Sequence, residues 1–144
     1  MKYYIIIPAY NEEAFMALTL QSLVEQTVLP SKIIVVNDSS TDSTAEIVAS
    51  FSEKHSFITL VNKKSDAIHL PGSKVIQAFH EGEKHIDDNY DIIVKVDADL
   101  IFPNNYFETI IKHFQSDDKI GMAGGFCYIA KNNDWVLENL TDKD

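Results

Sequence analysis

The strongest constraint on the fold is a set of apolar, β-branched runs separated by amphipathic segments. Residues 3–7, 32–36 and 91–96 form three such runs, and each is followed by a cluster of polar residues. Strands that are covered on both faces have this nearly uninterrupted apolar character. Because helix-like stretches lie between the runs, the pattern predicts an α/β fold with a mostly parallel sheet.

The helical stretches are indicated by apolar residues that recur every three or four positions. We expect Phe15, Leu18, Ser22 and Leu23 on one face of the first helix, and Val75, Ile76 and Phe79 on one face of the third. The predicted order is strand 3–7, helix 12–26, strand 32–36, helix 43–53, strand 57–61, a helix after Pro71-Gly72, strand 91–96, a helix after Pro103-Asn104, and a strand at 120–129.

Composition limits the class of partner. The chain has 144 residues, enough for one domain with a core, and a formal net charge of −10. A surface this acidic repels nucleic acids and anionic membranes. The single cysteine, Cys127, is expected to be a small buried residue. Because no disulfide can form within the chain, a reducing compartment is indicated, and we predict a cytoplasmic protein.

Polar residues cluster after three of the predicted strands, at the edge where open parallel sheets bind their ligands. The clusters are Pro8-Ala9-Tyr10-Asn11-Glu12, Asn37-Asp38 and Asp97-Ala98-Asp99. A purely structural role is open for each of them, since such residues also end strands, cap helices and solvate loops. For Ser40 and Asp42, helix capping is the favoured interpretation.

These side chains have the chemistry to contact a nucleotide. Tyr10 can stack on a flat ring, and the carboxylate of Asp38 can accept an N–H from a nucleobase. A hard divalent cation is usually bound by one or two carboxylates plus substrate phosphates, which suits Asp97 and Asp99. We expect these two carboxylates to point in different directions, one toward a metal and one toward a sugar hydroxyl. Lys74, at a helix start, could meet an anion or be a plain surface lysine.

The three clusters, in this order and spacing, resemble the nucleotide-sugar half of a family 2 glycosyltransferase with the GT-A fold, a Rossmann-like three-layer sandwich. Residues 5–12 resemble the opening signature of that family, and residues 96–99 resemble its D-x-D motif. Residues 35–42 resemble the second signature, with Asn37 and Ser39 in place of an acid and a glycine. The resemblance implies that residues 1–130 form the nucleotide-sugar-binding half and that 131–144 begin the acceptor-side half.

The resemblance also implies roles for the matched residues. Asp38 would bond to the base, Asp97 would contact the ribose or sugar side, and Asp99, with Asp97 nearby, would hold Mn²⁺ or Mg²⁺ against the diphosphate. Lys74 would serve the phosphates. The implied nucleotide-sugar-binding set is Pro8, Ala9, Tyr10, Asn11, Glu12, Asp38, Lys74, Asp97, Ala98 and Asp99.

The implied reaction is an inverting, metal-assisted transfer of a sugar from a UDP- or GDP-sugar to a hydroxyl of a saccharide or lipid-linked acceptor. The carboxylate that acts as general base in such enzymes lies well after the D-x-D motif. Glu138, Asp142 and Asp144 lie in no recognisable acceptor motif. We therefore expect the base beyond Asp144, in a longer enzyme whose missing parts would carry any membrane association.

Two other functions stay open at this point. The chain could bind a nucleotide without catalysing a reaction. An apolar strand followed by Asp-x-Asp also opens the haloacid-dehalogenase-type phosphatases, which would use Asp97 and Asp99. Here Ile101 stands where those enzymes usually have Thr or Val. P-loop enzymes and serine hydrolases have no support, because neither signature is present in the sequence.

Overall fold

The computed structural model describes residues 1–64 and 73–138. The chain divides into two compact units, Met1–Glu108 and Thr109–Asp144. In chain order the elements are β1 Tyr3–Ala9, α1 Met16–Val24, β2 Lys32–Asp38, α2 Thr44–Lys54, β3 Ile58–Lys63, α3 Ser73–Glu83, β4 Ile92–Lys95, α4 Tyr106–Ser116, β5 Tyr128–Lys131 and β6 Asp134–Leu137.

The first unit is built on a parallel sheet with the strand order β3-β2-β1-β4. The chain steps from β1 to β2 and β3 in one direction and then returns to place β4 on the other side of β1. Crossovers between parallel strands are right-handed, so this reversal puts α3 on the opposite face from α1 and α2. The predicted α/β fold with a mostly parallel sheet is confirmed.

The core lies on both faces of β1 and β2, as their uninterrupted apolar sequences require. On one face, α3 packs against a cluster of Ile6, Ile34, Val36, Val61 and Ala78. On the other face, the ring of Tyr3 stacks on Phe107 with 5.0 Å between the ring centroids. Both faces of the central strands are therefore covered, and polar groups reach solvent only at the strand ends.

Glycine lets α3 approach the sheet closely. A Cβ atom built on Gly82 would lie 2.6 Å from Cγ2 of Ile6 and 3.1 Å from Cγ2 of Val36. Both of these isoleucine and valine side chains are fully buried. A larger residue at position 82 would therefore force the helix away from the strands or displace core side chains.

The buried faces of two helices differ from the sequence prediction. In α1, which begins at Met16 rather than Glu12, the exposed fractions of Phe15 and Leu18 are 47% and 52%. In α3, Val75 and Ile76 are exposed and Phe79 packs against the core. The prediction was wrong for these four exposed side chains, whereas Ser22 and Leu23 are buried and Phe79 packs on the core as expected. Both segments carry apolar residues on more than one side, and periodicity cannot tell which side meets the sheet. The residues of α1 that are buried are Met16, Thr19, Leu20, Ser22 and Leu23.

The second unit contains an antiparallel hairpin of β5 and β6. Its turn residues, Asn132 and Asn133, have φ values of 53° and 62°, the left-handed conformation that a two-residue hairpin loop requires. The predicted strand at 120–129 is wrong for most of its length, because pairing begins only at Tyr128. Cys127 is exposed rather than buried. An apolar, glycine-containing sequence does not form a strand where no neighbouring strand pairs with it.

Within residues 1–64 and 73–138, no helix is both long enough and apolar enough to span a bilayer.

Candidate functional site

The three polar clusters that follow the strands lie at one edge of the sheet. Ala9 is paired with Asn37, and Asp38 is paired with Lys63, in the parallel register of β1, β2 and β3. On the other side of β1, the Val96 N–H donates to the Ile6 carbonyl at 3.1 Å. Because β2 and β4 flank β1 on opposite sides, this edge includes the point where the strand order reverses. Open α/β sheets bind their ligands at such a point.

The loop after β1 is tied to the loop after β2 by reciprocal hydrogen bonds. The Asn11 N–H donates to Oγ of Ser40 at 3.0 Å, and the Thr41 N–H donates to Oδ1 of Asn11 at 2.8 Å. The Glu12 N–H donates to Oγ1 of Thr44 at 2.8 Å. Asn11 has a φ of 53°, which turns the chain so that its side chain reaches the second loop. The two loops therefore form one rigid rim.

Asp42 belongs to the same rim. Its Oδ1 accepts the Thr44 N–H at 3.0 Å, and its Oδ2 accepts the Glu13 N–H at 3.1 Å. Burial opposes ionisation of this carboxyl, but hydrogen bonds from the Thr44 hydroxyl and from the Thr44 and Glu13 N–H groups hold its pKa below the ordinary value. The interpretation of Asp42 and Ser40 as helix caps alone is wrong, because both also bind the loop after β1. Sequence patterns carry no signal for pairing between two loops that are thirty residues apart.

Asp97 and Asp99 are both exposed, whereas Val96 and Ala98 are buried. The chain leaves β4 at Lys95 and turns at Ala98 and Asp99, so no strand geometry orients the two carboxylates. The expectation that they point in different directions stays a prediction. The carbonyl of Ala98 accepts a hydrogen bond from the buried hydroxyl of Thr19 at 2.8 Å. This bond anchors the backbone between the two acids to α1.

The acidic side chains at this edge influence one another. Burial raises the pKa of the Glu12 carboxyl above its ordinary value, and the negative charges of Asp99, Asp42 and Asp97 raise it further. Asp97 also forms an ion pair with Lys95. Among the described residues there is no group of three or more acidic, histidine or cysteine side chains that could hold a metal by itself. Two neighbouring carboxylates still fit a hard cation whose other ligands come from substrate phosphates.

Asp38 faces Lys63, a residue that no motif in the sequence marks. The Nζ of Lys63 lies 3.5 Å from Oδ1 of Asp38, and the side chains are only 10% and 7% exposed. On the other side of the same strands, Nδ2 of Asn37 donates to Oδ1 of Asn62 at 2.8 Å. The sequence prediction ended the third strand at Val61. Extending the strand to Lys63 is what brings this lysine opposite Asp38.

Lys74 and Tyr10 lie together. The Nζ of Lys74 is 5.9 Å from the centroid of the exposed Tyr10 ring, within the range of a cation–π contact. Lys74 is the second residue of α3. Pro71-Gly72, predicted to precede this helix, lies outside the described residues. The start of α3 and the loop after β1 therefore bring one cation and one aromatic ring to the same edge.

Nucleotide-binding domains typically have an α/β sheet with acidic and aromatic side chains at the switch point, which is the point where the strand order reverses. The model of the family described as glycosyl transferase family 2 matches residues 4–140. The chain therefore belongs to glycosyl transferase family 2.

Similar proteins support this assignment. A probable glycosyltransferase, YdaM, from Bacillus subtilis is 34% identical over 124 residues, which are 84% of this chain and 28% of YdaM. The mannosyltransferase PcManGT from Pyrobaculum calidifontis, solved with GDP-Man and Mn²⁺, is 25% identical with a TM-score of 0.68, covering 83% of this chain and 34% of that one. TarS 1–349 from S. aureus with UDP is 24% identical with a TM-score of 0.66, covering 81% and 32%.

These matches establish the GT-A type of α/β fold. The chain spans about a third of the solved structures and 28% of the length of YdaM.

Proposed function

We propose that this chain binds the donor in a glycosyltransferase that moves a sugar from a UDP- or GDP-sugar to an acceptor hydroxyl. The observation that carries the proposal is the gathering of Asp38, Asp97 and Asp99 at the switch-point edge of a family 2 chain. The solved relatives with UDP and with GDP-Man support a nucleoside diphosphate sugar as the donor.

The base and ribose are proposed to lie against the rim formed by the two loops. Pro8, Ala9, Tyr10, Asn11 and Glu12 would line this pocket. The hydrogen bonds to the loop after β2 hold Asn11 and Glu12 in place. A pocket that is already rigid loses little conformational entropy on binding. This rigidity supports tight and oriented binding of the nucleoside.

The phosphates are proposed to lie between the acidic edge and the start of α3. The ammonium of Lys74 would pair with the diphosphate, where the backbone N–H groups of a helix start also favour an anion. Asp97, Ala98 and Asp99 would lie on the other side of the diphosphate. The Thr19 hydroxyl would keep this segment in one conformation through the carbonyl of Ala98.

A divalent cation is proposed to join Asp99 and Asp97 to the diphosphate. Burial raises the pKa of Glu12, and repulsion from the neighbouring acids raises it further. A cation at this acidic edge would relieve the repulsion, which supports the fit. Mn²⁺ in the solved relative PcManGT also supports a divalent metal. When bound, such a metal would act as a Lewis acid that stabilises the leaving nucleoside diphosphate.

An inverting mechanism needs a carboxylate base on the acceptor side, and we propose that it lies beyond Asp144. Residues 1–130 would then form the donor half, and 131–144 would begin the acceptor half. The lengths of the relatives are consistent with further sequence for this purpose. The family assignment favours a transferase over the dehalogenase-type phosphatase that the Asp-x-Asp sequence also allowed.

The proposal is tested by calorimetric titration with UDP and GDP, each in Mn²⁺ and in EDTA. We expect one nucleotide to bind in Mn²⁺, and Asp99→Ala to remove the metal-dependent part of the affinity. Glu53→Ala is the matched control, because it removes one exposed acid at the end of α2, away from the carboxyl ends of the strands. If a folded wild-type chain binds neither nucleotide, the proposal is wrong.

A further inference from the structure

We infer that the ammonium of Lys63 reads the donor base together with Asp38, and that this pair selects uracil or guanine over cytosine and adenine. The inference deepens the proposed function and rests on it, since both concern the same donor site. Lys63 would thereby determine specificity, while Asp38 alone would only supply an acceptor.

The pair is built by the register of the sheet. Asp38 and Lys63 end β2 and β3 and are directly paired, so their side chains leave the sheet next to each other. They point to the same face as Val36 and Val61, which belong to the cluster beneath α3. The hydroxyl of Ser39 donates to the Lys63 carbonyl at 3.0 Å, which secures the end of β3. The position of the lysine backbone is therefore well determined.

Both charged groups retain unused hydrogen-bonding capacity. Among the described residues, the contacts of the Lys63 ammonium are Oδ1 of Asp38 and the Lys64 carbonyl, each at 3.5 Å. Charge-assisted hydrogen bonds of this kind are normally about 2.7–2.9 Å long. Both side chains are nine-tenths buried or more, where an incompletely paired charge is unfavourable. A ligand that supplies one acceptor and one donor side by side would satisfy both groups.

The lactam edge of uracil or guanine is such a ligand. In uracil, N3–H would donate to Asp38 while O4 accepts from Lys63, and in guanine N1–H and O6 would do the same. In cytosine and adenine, the ring nitrogen is an acceptor and the neighbouring group is an amine. The ring nitrogen would then meet the carboxylate, and the amine would meet the ammonium. Because the ribose is anchored, the base cannot turn over to exchange these positions.

The alternative is that Lys63 merely neutralises Asp38. The two roles differ in what they do to base preference. Removing a counter-charge changes the affinity for every nucleotide that binds at the site by a similar factor. A base-reading group affects nucleotides with a lactam edge and leaves the others nearly unchanged.

The test is equilibrium binding of UDP, GDP, CDP and ADP in Mn²⁺ to the wild-type chain and to Lys63→Met. We expect the wild-type chain to prefer UDP or GDP. Losing a charged hydrogen bond should weaken the preferred nucleotide by about 10- to 100-fold, and the other affinities should change by less than about threefold. Lys54→Met is the matched control, because it removes an exposed lysine at the far end of α2.

A second variant keeps the test decisive if Lys63→Met melts early. Lys63→Gln removes the charge but retains an N–H donor, so a base-reading role predicts that part of the preference survives. A counter-charge role predicts the same loss as in Lys63→Met. The inference is wrong if Lys63→Met loses affinity equally for all four nucleotides or keeps the wild-type base preference. In either case, binding of UDP or GDP by the wild-type chain still supports the proposed function. If the wild-type chain binds none of the four, the proposed function itself fails.

Discussion

Replacing Thr19 by valine tests how the segment that carries Asp97 and Asp99 is held in place. The Thr19 hydroxyl is fully buried and donates to the carbonyl of Ala98 at 2.8 Å. Valine has nearly the same shape but no donor. The substitution therefore removes one hydrogen bond and leaves the packing of α1 largely intact.

The expected magnitude follows from the burial of the acceptor. Ala98 is 4% exposed, so water has little access to replace the lost donor. Leaving a buried acceptor unsatisfied costs about 1–3 kcal/mol. In a chain of this size, 1 kcal/mol corresponds to roughly 3–5 °C, so we expect the melting temperature to fall by about 3–15 °C. If about 1.4 kcal/mol is needed to reorder the loosened segment on binding, nucleotide affinity in Mn²⁺ falls about tenfold.

Thr19→Ser separates the two effects. Serine keeps the hydroxyl and loses one buried methyl group, at a cost of about 1 kcal/mol of stability. We therefore expect the serine variant to melt earlier but to bind the nucleotide in Mn²⁺ like the wild-type chain. Thermal melting and calorimetry in Mn²⁺ and in EDTA measure both quantities. If Thr19→Val lowers stability but leaves metal-dependent affinity within about twofold of wild type, Thr19 supports the fold and not the site.

Three further predictions concern stability. Gly82→Ala should destabilise the chain by up to about 2 kcal/mol in urea, since overpacking costs about 1–3 kcal/mol and the gain in helix propensity offsets about 1 kcal/mol of it. The loss should shrink in an Ile6→Leu background, which removes the nearest methyl group, and an unchanged loss would argue against this clash. Hydrogen bonds from Lys32 and neighbouring groups lower the pKa of Asp87 from its ordinary value of 3.8 to about 2. The ionised Asp87 therefore stabilises the fold above pH 3.8, and this contribution is lost as the pH falls toward 2. Asp87→Asn should flatten this part of a pH series of urea melts, and a slope like that of wild type would contradict the assignment. Burial and nearby acids raise the pKa of Glu12, which means that its ionised form destabilises the folded chain. Glu12→Gln should therefore raise the free energy of unfolding at pH 7. The substitution should have no such effect below the ordinary pKa of 4.5, where the carboxyl is already neutral. The same stability gain at both pH values would refute the electrostatic explanation.

The order of elements in the first unit could be predicted from the sequence with good accuracy. Uninterrupted β-branched runs favour buried strands, and the segments between them are too long for hairpins, so a parallel sheet follows. The positions that directly follow such runs are candidate site residues. They are the Asp-x-Asp segment, Asp38 and the residues from Pro8 to Glu12. The family assignment agrees with that resemblance.

The buried sides of the helices could not be predicted in the same way. Leu18 and Ile76 are apolar and lie at helical spacing, yet both are exposed. What decides the face of α3 is the close approach at Gly82, where the absence of a side chain matters more than the presence of apolar ones. Hydrophobic periodicity gives weight to large apolar residues and is blind to small ones.

The sequence by itself determined the alternation of strands and helices and the acidic and aromatic residues that end the strands, because these depend on local preference and composition. Only the tertiary structure decided which of those residues meet. Three of these contacts join residues that are 25 to 79 positions apart. They are the ion pair of Lys63 with Asp38, the hydrogen bond from Thr19 to Ala98, and the hydrogen bonds between Asn11 and the loop after β2. Such contacts depend on strand order and register, which arise when the whole sheet packs and leave no periodic pattern in the chain.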